Sequence, residues 1–187
     1  MSFGDLEGER VKLQPIEIKH ADPLFHCSRN EKLWEKLPIQ VNTLDEMREF
    51  VQAAITGRES GEQFPYVVID KTTNRIIGTT RYLRISTLHK HLNIGWTWYA
   101  EEVWRTRVNT EAKYLLLTQA FELWKAVRVE LITTTDHLTS QKAIERIGAT
   151  KEGVLRKKYN NRDYVIYSII DDEWDAVKTR LETLLKQ

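Results

Sequence analysis

Between Leu92 and Gly148 the spacing of apolar and polar positions changes period repeatedly, and each change marks an element. His91 to Tyr99 alternates residue by residue. Leu92, Ile94, Trp96 and Trp98 fall on one side and His91, Asn93, Gly95 and Thr97 on the other, the two-residue period of a strand. The apolar set is expected in the core and the polar set on a cleft or in solvent, with Gly95 leaving room for another group to approach. After a basic turn, WRTRVNT, the period lengthens. From about Val108 to Val127 a polar stripe runs through Glu111, Tyr114, Thr118, Glu122 and Lys125. Ala112, Leu115, Leu116, Ala120, Leu123 and Trp124 fill the other faces, which predicts one long helix lying on a sheet. Arg128 to Thr134 then reads as a strand, and Thr139 to Ile147 as a short helix closed by Gly148 at C′.

The flanks follow the same logic. Val11 to Ile16 predicts a first strand. Ala21 to Leu33 predicts a helix entered at Asp22-Pro23, and Leu44 to Arg58 a second one capped by Thr43 or Asn42. Tyr66 to Asp70 and Arg75 to Leu83 make a hairpin about Lys71-Thr72-Thr73-Asn74, with Thr87 to Lys90 leading into the strand at His91. Ala149 to Lys158 and Tyr164 to Ile170 form a last antiparallel pair about Asn160-Asn161, and Asp171 to Lys186 a terminal amphipathic helix. No linker, repeat or low-complexity segment intervenes. The pattern predicts one α+β domain over residues 1–187, with a mixed, mostly antiparallel sheet of about seven strands flanked by helices.

Composition narrows the classes. The chain has 187 residues, 41% hydrophobic and 29% charged, as in an ordinary soluble domain large enough to bury a core. A formal net charge of +1 gives no global field for nucleic acid or an anionic membrane, so neither is expected as a partner. Cys27 stands alone, which fits a reducing cytoplasm. The segment MSFGDLEGERVKLQPI is acidic and lacks the apolar core of a signal peptide. Six tryptophans are many for this length; Trp96, Trp98 and Trp104 cluster about the basic turn, either as core filling or as ligand-groove lining.

That turn is where chemistry concentrates. A donor-rich basic segment opening a helix beside a strand end gathers backbone N–H groups and the positive end of the helix dipole, which suits a phosphate or pyrophosphate. The order of elements points to coenzyme A. His89, His91 and Asn93 lack a third metal ligand, so no metal is expected.

The strand IGWTWYAEEVW, the turn and helix RVNTEAKYLLLTQAFE and the ending SQKAIERIGATKEGVLRKKY…RDYVIYSIIDDEW resemble the RimJ/RimL-type branch of the GNAT N-acetyltransferases. The resemblance runs from Leu6 to the last helix. It implies a GNAT-like fold, acetyl-CoA as acyl donor, an amine acceptor, and a homodimer as a quaternary state to consider. It also implies pyrophosphate on the turn before the long helix, with pantetheine along Trp98 and Tyr99. The family's turn commonly reads Q/R-x-x-G-x-G/A; here those positions are Trp104, Arg105, Thr106, Arg107, Val108 and Asn109, without either glycine. Arg105, Arg107, Asn109 and Thr110 offer side-chain donors instead. A related branch of the family also places asparagine before the E-A-K segment.

Three family positions remain. An asparagine, a small residue and a tyrosine often follow in the next helix; here they are His137, Ser140 and Ile144, and isoleucine cannot protonate a departing thiolate. The RimJ/RimL-type branch assigns that role to a serine at the Ser140 position, where a hydroxyl also serves as a helix cap. His137 is expected to hydrogen-bond pantetheine or backbone. The family's cleft glutamate falls at Asn93, leaving His91 as the nearest titratable base. A lysine amine ionises near roughly 10.4 and an α-amine near roughly 7.7–8.0, so a weakly basic amine such as a protein N-terminus is the expected acceptor. Two rivals stand beside this reading: a non-catalytic acyl-CoA-binding or regulatory module, and an enzyme for a longer acyl-CoA.

Overall fold

The computed structural model describes residues 3–35 and 37–187; Met1 and Ser2, which begin the segment read above as lacking a signal peptide, lie outside the described residues. Eight strands form one sheet: β1 (Leu6–Glu7), β2 (Val11–Pro15), β3 (Gln63–Asp70), β4 (Arg75–Ser86), β5 (His91–Tyr99), β6 (Arg128–Thr134), β7 (Thr150–Tyr159) and β8 (Arg162–Ile170). Their spatial order is β1-β2-β3-β4-β5-β6-β8-β7, and only β5 and β6 run parallel. The α+β, mostly antiparallel architecture agrees with the sequence. The strand beyond the seven expected is β1, a two-residue edge against β2.

Helices α1 (Ala21–Cys27) and α2 (Leu44–Glu59) cover one face, packing Leu24, Trp34, Met47 and Val51 against Val67 and Trp98. Helices α3 (Val108–Thr118), α4 (Leu138–Arg146) and α5 (Trp174–Lys186) lie against the other. There Val108, Leu116 and Leu117 meet Leu92, Ile94, Val129 and Leu131 in the larger core. The cap of α2 is Thr43, reciprocated by Glu46 in a capping box. Gly148 takes φ 102° just past α4, the left-handed position that favours glycine.

Three expectations change. The helix expected over residues 21–33 stops at Cys27. Asn30 then accepts from Lys32 N and starts a short 3₁₀ turn over Glu31–Leu33, and the Trp34 indole donates to Ser28 O at 3.0 Å. The helix expected to run to Val127 becomes a π turn over Gln119–Leu123 and ends where Lys125 takes φ 54°. That turn accompanies an inward Gln119, whose carbonyl oxygen accepts from the Tyr82 hydroxyl at 3.2 Å.

The third change matters most for the site. The two-residue alternation of β5 breaks at Trp96, which takes φ 50°. The register gives the cause: Arg81 pairs with Gly95 and Thr79 with Trp98, so β5 uses one residue more than β4 between these pairs, a β-bulge. Leu92 and Ile94 face α3, but Trp98 joins the α1/α2 core and Trp96 lies near Phe50 of α2, their ring centroids 6.2 Å apart. Thr97, expected opposite Leu92, instead shares its face and accepts from Lys113 of α3.

Candidate active site

The ladder between β5 and β6 is short. It joins His91 to Arg128, Leu92 to Val129 and Asn93 to Glu130, and then ends. From Ile94 to Tyr99 the edge of β5 that turns toward β6 has no strand partner, and the bulge at Trp96 falls in this stretch. Backbone N–H groups there are free to meet a ligand. Both parallel strands lead into helices at the same end, β5 through the basic turn into α3 and β6 into α4, so two helix N-termini open beside the parted strands.

The turn is built from side chains rather than glycines. Trp104 is partly exposed and its indole donates to Tyr99 O at 2.7 Å. Arg105 is exposed and takes φ 61°, whereas Arg107, at a position where the family has glycine, takes φ −72° and needs no glycine. Thr106 donates to Val103 O at 2.7 Å, and its hydroxyl lies 3.4 Å from the amide of Val108. The first helical bond of α3 runs from Glu111 N to Arg107 O, so the amides of Asn109 and Thr110 precede the helical ladder. Val108 is buried in the core, Asn109 is half-buried, and Thr110 accepts from Arg146 Nη2 at 2.8 Å. Arg146, at the end of α4, escaped the sequence reading, which singled out no charge on that short helix. Arg107 is tied differently from the expectation, its Nη1 donating to Leu185 O of α5.

Ser140 occupies the third position of α4, half-buried, and its hydroxyl makes no hydrogen bond within the described residues, so it does not act as the cap. His137 is the N-cap residue by backbone position, and its carbonyl accepts from Gln141 N at 3.1 Å. Ile144 is buried in the core.

His91 and Asn93 stand farther off. Five and three residues of strand, respectively, separate them from the bulge, roughly 16 and 10 Å along β5. Asn93 is buried, its Oδ1 unpartnered, and Glu130 sits directly across from it on β6. Glu130 was also missed, since nothing in the spacing of two strands reveals which residues pair across them; it is bonded to Arg128 at 2.9 Å. Gly95 offers little room, because a Cβ there meets Leu83 Cδ2 at 3.2 Å.

Two buried cations flank the bulge. Lys113 of α3 donates to Thr97 Oγ1 at 2.8 Å, Thr97 shares a 2.7 Å hydrogen bond with Thr80, and burial pushes the amine down to about 7. Arg81 of β4 lies on the opposite face. Between them the bulge is held from both sides.

The fold is shared with known proteins. The acetyltransferase (GNAT) domain family matches residues 10–150. This chain belongs to the GNAT acetyltransferases. An uncharacterized N-acetyltransferase, YoaA, of Bacillus subtilis (strain 168) is 23% identical over 90% of this chain and 97% of its own length. A crystal structure of a GCN5-related N-acetyltransferase from Brucella melitensis superposes with a TM-score of 0.91 at 26% identity, covering 98% of this chain and 86% of that one. RimL, a ribosomal L7/L12 α-N-protein acetyltransferase, shares the fold at a TM-score of 0.79 and 20% identity, over 89% of this chain and 93% of that one. The chain is thus an N-acetyltransferase by family, and among the described residues no helix is long and apolar enough to cross a membrane.

Proposed function

We propose that this enzyme moves an acetyl group from acetyl-CoA to a primary amine by direct attack, in the manner of the RimJ/RimL-type branch. The observation that carries the reading is the parting of β5 from β6 after Asn93, beside two helix N-termini. A thioester laid along the free edge of β5 meets backbone N–H groups near Trp98 and Tyr99 that can polarise its carbonyl. The pyrophosphate is assigned to the amides of Val108, Asn109 and Thr110 with Thr106 and the guanidinium of Arg105; Arg107 contributes its backbone, since its side chain holds Leu185. His137 and Ser140 open α4 next to the pantetheine end.

In the reaction the amine nitrogen forms a bond to the thioester carbon and the carbon–sulfur bond breaks. One N–H proton leaves the nitrogen and one proton ends on the CoA sulfur, with Ser140 Oγ assigned to escort it. His91, about 16 Å along the strand from the bulge, is not needed as a base if the acceptor ionises near roughly 8. We assign a weakly basic amine as acceptor for that reason, and the cytoplasm as the site of action; the thiol of Cys27, pushed up to about 12 by burial, is no redox centre there.

Calorimetric titration with acetyl-CoA, succinyl-CoA and free CoA tests the reading, together with CoA release on an amine panel. Acetyl-CoA should bind and turn over. Failure of all three to bind would end the proposal, and binding with no turnover on any amine would favour the non-catalytic module.

A further inference from the structure

Arg10 and Arg81 show what one side chain does in two settings. Arg10, partly exposed, grips Asp70 with the Nε–Nη2 edge of its guanidinium, at 3.1 and 2.7 Å. Arg81 is only 4% exposed, and its corresponding edge is different: Nε and Nη2 are buried and find no partner among the described residues. The rest of the group is fixed. Nη1 donates to Gln63 Oε1 at 2.8 Å, and the guanidinium carbon lies 5.0 Å from the ring centroid of Phe50 and 5.1 Å from that of Trp96. No carboxylate of the described residues pairs with it. Burial pushes its pKa down to about 10, which still leaves a full positive charge at neutral pH.

A desolvated cation without a counter-ion costs several kcal/mol, and a fold ordinarily neutralises it. Here one end is bonded and two aromatic rings lie against the group, while the two-donor edge that matches a carboxylate is buried without a partner. The position is informative as well. Arg81 pairs with Gly95, the residue before the bulge, and lies on the α2 face together with Asn93. Phe50 and Trp96, whose rings lie against it, are themselves only half-buried.

We propose that Arg81 is the anchor for a carboxylate on the acceptor, and that the acceptor is an amine carrying this carboxylate a few bonds from its nitrogen. A free amino acid has that chemistry, and so does a peptide N-terminus with an acidic first side chain. The proposal rests on the transferase reading above and deepens it, since an amine held through its carboxylate at Gly95 is presented to the parted edge of β5. The cation–π contacts to Trp96 make the same guanidinium sensitive to the geometry of the bulge.

The test compares acids with their amides. Initial rates of CoA release are measured with acetyl-CoA and a panel of the proteinogenic amino acids, the matching amino-acid amides, and peptides beginning with aspartate or asparagine. The native protein should prefer the carboxylate member of at least one pair by roughly tenfold or more in kcat/KM, because a site built for a charged partner rejects the analogue that leaves it unpaired. Which pair shows the preference tells free amino acid from acidic peptide. In Arg81→Lys, which keeps the charge but loses the fork, the preference should fall to about threefold or less while the KM for acetyl-CoA stays within about twofold. Equal rates for acid and amide throughout would overturn the proposal, as would a loss in Arg81→Lys shared equally by acids, amides and acetyl-CoA.

A second measurement does not depend on the variant folding or on turnover. The same amino acids and amides are titrated calorimetrically into the native protein saturated with free CoA, where tighter binding of an acid than of its amide supports the anchor and equal binding overturns it. If acetyl-CoA, succinyl-CoA and free CoA all fail to bind, the transferase reading fails, and titration into the protein alone still decides the carboxylate site.

Discussion

The two faces of the sheet treat buried polar groups differently. Under α3, most of them are bonded into a network: Tyr82 donates to Leu116 O at 2.6 Å and shares Gln119 with Tyr66, while Thr80, Thr97 and Lys113 form a chain. Tyr99, Thr118 and Trp124 are the unpartnered members on that side. On the face covered by α1 and α2, the unpartnered atoms belong to Arg81, His91, Asn93, Trp98 and Thr134, and these line the strands on which the acceptor is expected. Helix cover explains the contrast. α3 brings its own hydrogen-bonding groups against the sheet. α1 and α2 stop over β3 and β4, and the matching face of β6 and β8 carries Glu130, Ile132, Tyr164 and Ser168 without a helix above them. One face is organised for stability, and the other keeps polar capacity in reserve.

The contrast breaks most visibly where cavities are costly. Leu116→Ala, fully buried beneath α3, should cost about 2–5 kcal/mol in a denaturant titration and leave the acetyl-CoA KM unchanged at temperatures where the variant is folded. A loss under about 1 kcal/mol would mean that the α3 core is loosely packed.

Next comes the buried amine on the α3 face. Lys113 titrates at about 7 in the folded chain and near roughly 10.4 unfolded, so below pH 7 both states carry the proton and the full cost of a buried charge is present. Between those values the unfolded chain binds more protons, and stability rises with pH. Lys113→Met should therefore stabilise the protein most at pH 6–7, with its advantage shrinking toward pH 10 as the native amine becomes neutral. Parallel stability curves for the two proteins over this range would show that the amine does not titrate as described.

On the opposite face a second buried polar group can be removed with the same sign of effect. Thr134→Val removes an unpartnered buried hydroxyl in an isosteric way, and stability should hold or rise by up to about 1 kcal/mol. A loss comparable to that of a bonded hydroxyl, about 1–2 kcal/mol, would place Thr134 with the satisfied groups.

The smallest effect belongs to the surface. Arg105→Ala should weaken CoA binding a few-fold at low ionic strength and less at 0.15 M salt, where the screening length falls to about 8 Å. An affinity independent of both the substitution and the salt would remove Arg105 from the pyrophosphate site.

Much of the frame could be read from the chain because its signals are local. The limits of β5 and β6, the Thr43 cap and the turn at Gly148 each depend on neighbours within a few positions. The bulge at Trp96 has no such mark. A tryptophan at φ 50° sits in a strand with intact alternation, and the extra residue shows only in the register against β4. Arg81 was hidden for a related reason: nothing in the sequence sets it apart from Arg75 and Arg84 of the same strand, and its burial follows from α2 crossing above it. Arg146 and Glu130 acquire their places through pairing across elements far apart in sequence. The family resemblance located the cofactor turn, but not that Arg107 would be engaged by the end of α5.

The single added residue in β5 also sets how this strand can change over time. Ahead of Trp96, even-numbered positions answer to α3 and odd ones to the α2 side; after it, the parity is exchanged. A saturation library across residues 91–99 should show hydrophobic demand at 92 and 94 set by the α3 core and at 98 set by the α1/α2 core. Deleting Trp96 would restore a regular ladder with Trp98 still opposite Thr79 on the α1/α2 side, so the irregularity is not required by the side chains that follow it.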